Sequence, residues 1–490
     1  MAGGCHGGRE TMQAAAEAAG NGPLMQRLAA DYQRGPHDQP QSMCPAFGSL
    51  RVGLRMRRVA TVLCGSACCV YGLTFTSHFY GARRSVGYVP FNSETLVRGQ
   101  VFEDIRDAVY QIAKPDEYDA VVVINLCVPT ASGVPLDRLP RQIDGVRILG
   151  IDVPGFGVPT HAEAKDVLAG AMLAFARREA EQGPVAAPRQ AAVLPSVALI
   201  GELFPADPPA VGALIAPMGL AVAPSLPARE WRDLYGVLDC AVGAAVHPFY
   251  IAAARELRAA GRPVVGSGPV GFQATADWLD AIAAAANVPP PGLDNARARA
   301  LPALRAVLET HRIDARITVS GYEGSELLVA RLLRECGAEV PYVGTACARS
   351  EWSQADADWL AAAGTHVQFR ASLEQDMAAM QEVRPDLALG TTPLVQRAKE
   401  LGIPALYFTN IVSARPLFGI AGIASLARTV AAQTAGRERF SRMVAFFDGV
   451  GRAESAGYGF AGKPVEPAGS RDRWRKRRLA QARAQEAVGV

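Results

Sequence analysis

Residues 119–126 read DAVVVINL, a continuous apolar and largely β-branched run with no polar alternation. A strand with one wet face alternates apolar and polar residues. An unbroken run is called for when both faces are covered, as in a parallel sheet layered between helices. Further runs predict strands over 146–151 (VRILGI), 197–201, 240–246, 263–265, 315–321 (ARITVSG), 340–344, 387–389 and 405–408. Helical stretches separate them, over 160–181, 206–218, 249–260 and 323–336. The first is opened by Thr160 as N-cap, with Glu163 three residues on. Strands alternating with helices are βαβ units. The fold class is therefore α/β, with three Rossmann-like, doubly wound parallel-sheet domains in series.

The expected boundaries follow from composition. Residues 1–40 (GGCHGG, RGPHDQPQ) form a flexible arm with one short helix. A first α/β domain spans 41–190 and carries most of the cysteines. A linker at 183–195 leads into a second domain over 191–312, which VPPPGL at 288–293 interrupts. The third domain spans 313–462 with a helical end, and 463–490 is a basic tail. The length of 490 residues suits roughly three domains at ~100–200 residues each. Apolar residues at 49% against 20% charged supply a large core.

No apolar run reaches the ~18 residues that span a bilayer, and the N-terminus lacks a signal-like apolar segment. The expectation is a cytoplasmic protein that is not an integral membrane protein. The tail holds seven Lys or Arg against two acids over 471–490, so the remainder of the chain is about neutral. A nucleic-acid binder would spread basic residues over its body, so no nucleic-acid partner is expected.

Several motifs are missing. There is no G-x-x-x-x-G-K-[ST], so ATP is not bound here through a P-loop. GSGPVG at 266–271 matches G-x-G-x-x-G, but no acidic residue follows at the ribose position and Pro269 removes a donor; a tight strand-to-helix turn explains it. The histidines form no H-E-x-x-H pair, and there is no G-x-S-x-G elbow.

The nine cysteines are odd in number, which argues against a disulfide framework. Five fall between Cys44 and Cys127. Three local settings suit ligands: SMCPAF, where Pro45 follows Cys44; CGSACCVYG, a small-residue turn entering a helix; and NLCVPTAS, where Cys127 ends the 119–126 strand. Strand ends in open α/β sheets face the ligand crevice, and soft thiolates match iron–sulfur clusters. Spacing alone leaves a metal site and buried structural cysteines equally open, and no C-x-x-C pair is present.

The segments SMCPAFGSLRVGLRMRRVATVLCGSACCVYGLTFTSHFYGARRSVGYVPFNSE, NLCVPTASGVPL, GIDVPGFGVPTHAEAKDVLAGAML and LALGTTPLVQRAKELGIPALYFTNIVSARPLFG resemble the nitrogenase-like reductases. Within them the resemblance is to the Y-subunit family of chlorophyllide a reductases, and it spans about 41–462. It implies a fold similar to the nitrogenase molybdenum–iron protein and a catalytic component built with a homologous subunit Z, as a Y2Z2 heterotetramer. It implies a 4Fe-4S cluster between Y and Z, with three cysteines from this chain and the fourth ligand from the partner. Carried over, the first ligand is Cys44 and the third Cys127. The second lies among Cys64, Cys68 and Cys69; a Gly-rich turn ending in the ligand favours Cys69, with Cys68 next. Cys64, Cys240, Cys336 and Cys347 are then structural.

The implied activity is that of an oxidoreductase acting on a CH–CH group with ferredoxin as donor. A separate iron–sulfur component X hydrolyses ATP, and the C7=C8 bond of ring B of chlorophyllide a is reduced in bacteriochlorophyll biosynthesis. Phe75, Phe79, Tyr80 and Tyr88, with Arg83 and Arg84, are candidates for the pigment slot. A dark-operative protochlorophyllide reductase subunit and a non-catalytic assembly scaffold are the neighbouring alternatives.

Overall fold

The computed structural model describes residues 42–79, 86–185, 194–202 and 207–446, with Lys476. The arm expected at 1–40 and all of the basic tail except Lys476 lie outside these residues. So do Tyr80, Arg83, Arg84 and the side chains of Phe75 and Phe79.

The first unit contains α1 (Ala46–Arg55), β1 (Val59–Gly65), α2 (Ala67–Phe79), β2 (Val86–Pro90), α3 (Ser93–Arg98), α4 (Val101–Ile112), β3 (Ala120–Asn125), α5 (Cys127–Ala131), β4 (Gln142–Ile143), β5 (Val146–Asp152) and α6 (His161–Gln182). Its strands lie in the order β2-β1-β3-β5-β4, parallel except for β4. The run AVVVIN of β3 is buried throughout. Val122 and Ile124 enter one core with α1 and α6, while Val121 and Val123 enter a second core on the opposite face. Each buried valine is worth roughly 1.5–3 kcal/mol of transfer free energy, so neither face tolerates a charge.

The second sheet comes from β6 (Ser196–Ile200), β7 (Ala221–Val222), β8 (Val242–Ala245) and β9 (Val264–Gly266), in the parallel order β7-β6-β8-β9. It is accompanied by α7 (Asp207–Ile215), α8 (Asp233–Leu238), α9 (Ile251–Ala259) and α10 (Phe272–Ala285). Strand β6 repeats the two-faced pattern. Ala198 and Ile200 pack with the first unit, while Val197 and Leu199 pack toward the third.

A long helix, α11 (Pro290–Thr310), precedes the third sheet. That sheet has the parallel order β12-β11-β10-β13-β14, from β10 (Arg316–Gly321), β11 (Glu339–Thr345), β12 (His366–Phe369), β13 (Leu387–Gly390) and β14 (Ala405–Tyr407). Helices α12 (Glu326–Glu335), α13 (Glu351–Ala362), α14 (Leu373–Val383) and α15 (Thr392–Glu400) connect the strands. Helices α16 (Phe408–Ser413), α17 (Gly419–Ala435) and α18 (Arg437–Phe446) form the helical end.

Some details differ from the sequence reading and one goes beyond it. The helix expected from 323 begins at Glu326, because Gly324 takes φ +90° and the Glu326 carboxylate binds the N–H groups of Glu323 and Gly324. Cys127 does not end β3; it is the first residue of α5. Glu163 does more than face the N-cap. It accepts from the Thr160 hydroxyl and takes both terminal nitrogens of Arg370, at 2.6 and 2.5 Å, clasping the first unit to the third.

The GSGPVG turn joins β9 to α10, as expected. A Cβ on Gly266 would lie 2.7 Å from the Trp352 backbone, so glycine is required for close approach. The α10 N-terminus, where a dinucleotide phosphate would sit, is taken by the Glu335 carboxylate, bonded to the N–H groups of Phe272 and Gln273 at 2.5 and 2.8 Å.

Candidate functional site

Three chain crossings bring cysteines to one end of the first sheet. Cys44 lies just before α1, with its carbonyl accepting from Phe47 N–H at 3.1 Å. Cys69 sits in the first turn of α2, directly after β1. Cys127 opens α5, directly after β3. The backbone ties these strand ends together: Leu126 N–H donates to the Cys64 carbonyl at 2.9 Å, and Val153 N–H to the Asn125 carbonyl at 2.9 Å. Asp152 accepts from both Asn125 and Thr130, fixing α5 against β5. Helix N-termini favour ionised thiols, since free N–H groups point at the sulfur.

The sulfurs are hydrogen-bonded from their own loops. Gly155 N–H donates to Cys127 Sγ at 3.1 Å, and a Cβ at Gly155 would stand 3.6 Å from that sulfur. The Ser66 hydroxyl lies 3.2 Å from Cys69 Sγ and 3.2 Å from Cys68 Sγ; its single proton serves one at a time. Protein packed around the Cys44 sulfur raises its pKa although the residue itself is exposed. The Ala46 N–H opposes that rise, while charge on Cys127 and Cys69 adds to it. Cys44 is thus near enough to both Cys69 and Cys127 to feel their charge. Cys68 has a lowered pKa, from the Ser66 hydroxyl first and then Cys69. Among the described residues no three His, Cys, Asp or Glu side chains close on a single metal ion. A four-iron cluster holds its thiolates at separate corners and so spaces them more widely than one ion does.

The remaining described cysteines differ in kind. Cys64 is buried in β1 with its thiol pushed up to about 12. Burial likewise pushes Cys240 to about 11 and Cys336 to about 12, and raises Cys347. These are core thiols. The candidate ligands instead sit where solvent and a partner can reach: Cys44 and Cys69 are exposed and Cys127 is half-buried. Met43 beside Cys44, Tyr71 two residues after Cys69 (70%) and Phe156 (59%), which follows the Gly155 bonded to Cys127, are large apolar side chains and exposed too. Tyr88, also exposed, lies near enough to Cys68 and Cys69 for their charge to raise its pKa, after the larger effect of desolvation. Exposed apolar groups gathered at one site mark a surface that another chain covers.

A second constellation went unnoticed in the sequence. Where strand ends of the second and third sheets meet α6, Lys165 Nζ bonds Glu202 at 2.7 Å and stands 3.8 Å from Glu323. Arg51 reaches Glu202 at 3.2 Å, and Thr409 donates to Glu323 at 2.9 Å. Burial alone would raise both carboxyls. Lys165 and Arg51 outweigh it and hold Glu202 at about 2, and His161 with Lys165 lowers Glu323. His247 is kept neutral by burial, at about 4. The available signal was an acid following a buried strand through glycine, as in LIGE (199–202) and SGYE (320–323).

The three-sheet architecture matches solved nitrogenase proteins. Nitrogenase Cp1 at pH 6.5 aligns with a TM-score of 0.66 and 16% identity, covering 82% of this chain and 93% of that one. Residues 44–434 match the nitrogenase component 1 type oxidoreductases, and the chain belongs to that family. It is 65% identical over 455 residues to the chlorophyllide reductase 52.5 kDa chain of Cereibacter sphaeroides, covering 93% of this chain and 90% of the relative. The chlorophyllide reductase 52.5 kDa chain of Rhodobacter capsulatus is 64% identical over 456 residues, covering 93% and 92%. Among the described residues no helix is long and apolar enough to cross a membrane.

Proposed function

We propose that the chain is a Y-type subunit of the catalytic component of a chlorophyllide a reductase, and that Cys44, Cys69 and Cys127 supply three ligands to a 4Fe-4S cluster whose fourth ligand comes from a homologous partner, subunit Z. The observation that carries the assignment is the identity to two chlorophyllide reductase chains across nine-tenths of the sequence. The cluster fits the donor set. Three thiols come from separate segments, each at a helix N-terminus; the Cys44 thiol feels the charge of the other two, and hydroxyl and amide donors reach the sulfurs of those two. Cys69 is favoured over Cys68 because Cys69, with Cys127, is the charge that bears on Cys44.

When bound, such a cluster would supply electrons singly, at a potential tuned by hydrogen bonds to its sulfurs. This chain's own contribution is ligation and tuning. Ser66 and Gly155 place donors on ligand sulfurs, stabilising negative charge there. The exposed apolar rim of Met43, Tyr71 and Phe156 supplies surface for the partner to cover and exclude water. Saturating the C7=C8 bond of ring B takes two electrons and two protons, hence two single-electron deliveries. ATP hydrolysis is assigned to a separate component X, in keeping with the missing P-loop. The cytoplasm and a Y2Z2 assembly belong to the same proposal.

The test is anaerobic reconstitution with the partner subunit, the ATP-hydrolysing component and a ferredoxin-type reductant, followed by absorption spectra. Chlorophyllide a should be consumed with ATP dependence, its long-wavelength band moving to that of a bacteriochlorin. Turnover of protochlorophyllide in its place would overturn the substrate assignment. An iron-free, colourless complex would overturn the cluster.

A further inference from the structure

The segment that carries Cys44 is held from an unexpected direction. Ser42, two residues before the cysteine, is half-buried and bonded to the start of α6, more than a hundred residues away. Its hydroxyl accepts from the His161 N–H at 2.9 Å and lies 3.2 Å from His161 Nδ1. His161 is fully buried. Its ring packs edge-on against Tyr322 at 5.1 Å, and its Nε2 faces Glu323 at 3.7 Å with no hydrogen-bond partner of its own. One tautomer suits both sides. With the proton on Nε2, Nε2–H points at the Glu323 carboxylate, and Nδ1 shares the single Ser42 proton with the Met43 carbonyl, 3.0 Å from that hydroxyl. The proton on Nδ1 would turn a lone pair toward that carboxylate.

The backbone makes the same junction rigid. A Cβ on Gly48 would meet the His161 carbonyl oxygen, so α1 lies directly on the first turn of α6. Cys44 is therefore gripped on both sides, by α1 after it and by the Ser42–His161 pair before it. Glu323 in turn is fixed by Thr409 and Lys165. A chain of contacts runs from the buried ion network of all three sheets to the loop of one candidate ligand.

We infer that His161 is a positioning residue for the Cys44 ligand. It acts through Ser42 to fix where the Cys44 sulfur meets the cluster, and the Glu323 side of its ring serves only to orient it. This rests on the cluster assignment above. Ligand-supporting partners of this kind cost about 10–100-fold in metal retention or activity when removed.

The pair of amide substitutions separates the two faces of the ring. His161→Asn places an amide oxygen near the position of Nδ1 and keeps the Ser42 contact. His161→Gln reaches instead toward Nε2 and Glu323. Each variant, with Ser42→Ala, is co-purified anaerobically with the partner subunit. The readouts are the electron paramagnetic resonance spectrum of the reduced cluster and the rate at which a chelator strips iron. Ser42→Ala and His161→Gln should alter the spectrum and speed iron loss by ~10-fold or more, while His161→Asn stays close to the parent. The inference is overturned if Ser42→Ala keeps the parent spectrum and iron-loss rate, or if His161→Gln does, since the backbone N–H of residue 161 alone would then suffice to hold Ser42. If the parent complex itself holds no iron, the cluster assignment fails first, and that result is recognisably different.

Discussion

Among the cysteines, chemical company decides the role. Cys64, Cys240 and Cys336 are surrounded by core and stay protonated well above neutral pH, whereas Cys68 and Cys69 stand in solvent within reach of a serine hydroxyl. Alkylation of the apo chain, mapped by mass spectrometry, should label Cys68 and Cys69 quickly and the buried four only on unfolding. Loading with the cluster and partner should protect Cys69 and leave Cys68 reactive; the reverse would exchange their roles. Gly48 offers a sharper test of packing. With a Cβ driven into the His161 carbonyl, Gly48→Ala should lose about 3 kcal/mol or more in urea unfolding. The three ligand candidates were legible because glycine, serine and proline beside cysteine are local signals. The Ser42–His161 bond was not, because no local pattern records a partner on a distant helix.

At the level of elements, the buried strands were the most legible part. β3 and β6 are covered on both faces, so their sequences show it without help from neighbours. The capped start of α6 was legible for the same local reason: Glu163 N–H reaches the Thr160 hydroxyl at 3.1 Å. Ends set by tertiary contacts were not. Cys127 continues the apolar run of β3 in sequence, yet the chain turns there, and Pro129 is compatible with the first turn of α5. The glycine turn before α10 read as a turn, but the sequence could not reveal that Glu335, on α12, caps it. Glu335→Ala should destabilise the fold by about 1–2 kcal/mol in denaturant titration, since two N–H groups lose a charged acceptor. Unchanged stability would mean that water replaces the carboxylate without cost.

Across the whole molecule, three sheets are locked by charge as well as by apolar packing. Glu163 with Arg370 joins the first unit to the third, and Lys165 with Glu202 and Glu323 joins all three. The Glu202 carboxyl is depressed to about 2 from an ordinary 4.5, so its contribution is present above pH 4.5 and fades as pH falls toward 2. Glu202→Gln should therefore be less stable than the parent at pH 7, with the gap closing through that acid window. A gap independent of pH would remove Glu202 from the charge network. Architecture was legible because a parallel sheet needs continuous apolar strands. The ion network was not, since its members come from strand ends that only folding brings together.

The most direct measurement is iron per complex in single Cys→Ala variants, co-expressed anaerobically with the partner subunit. Cys44→Ala, Cys69→Ala and Cys127→Ala should each lose the cluster or leave a defective one, while Cys68→Ala and Cys64→Ala retain full iron and the parent spectrum. Full iron in Cys69→Ala alongside loss in Cys68→Ala would contradict the ligand set, and full iron in all of them would contradict the site.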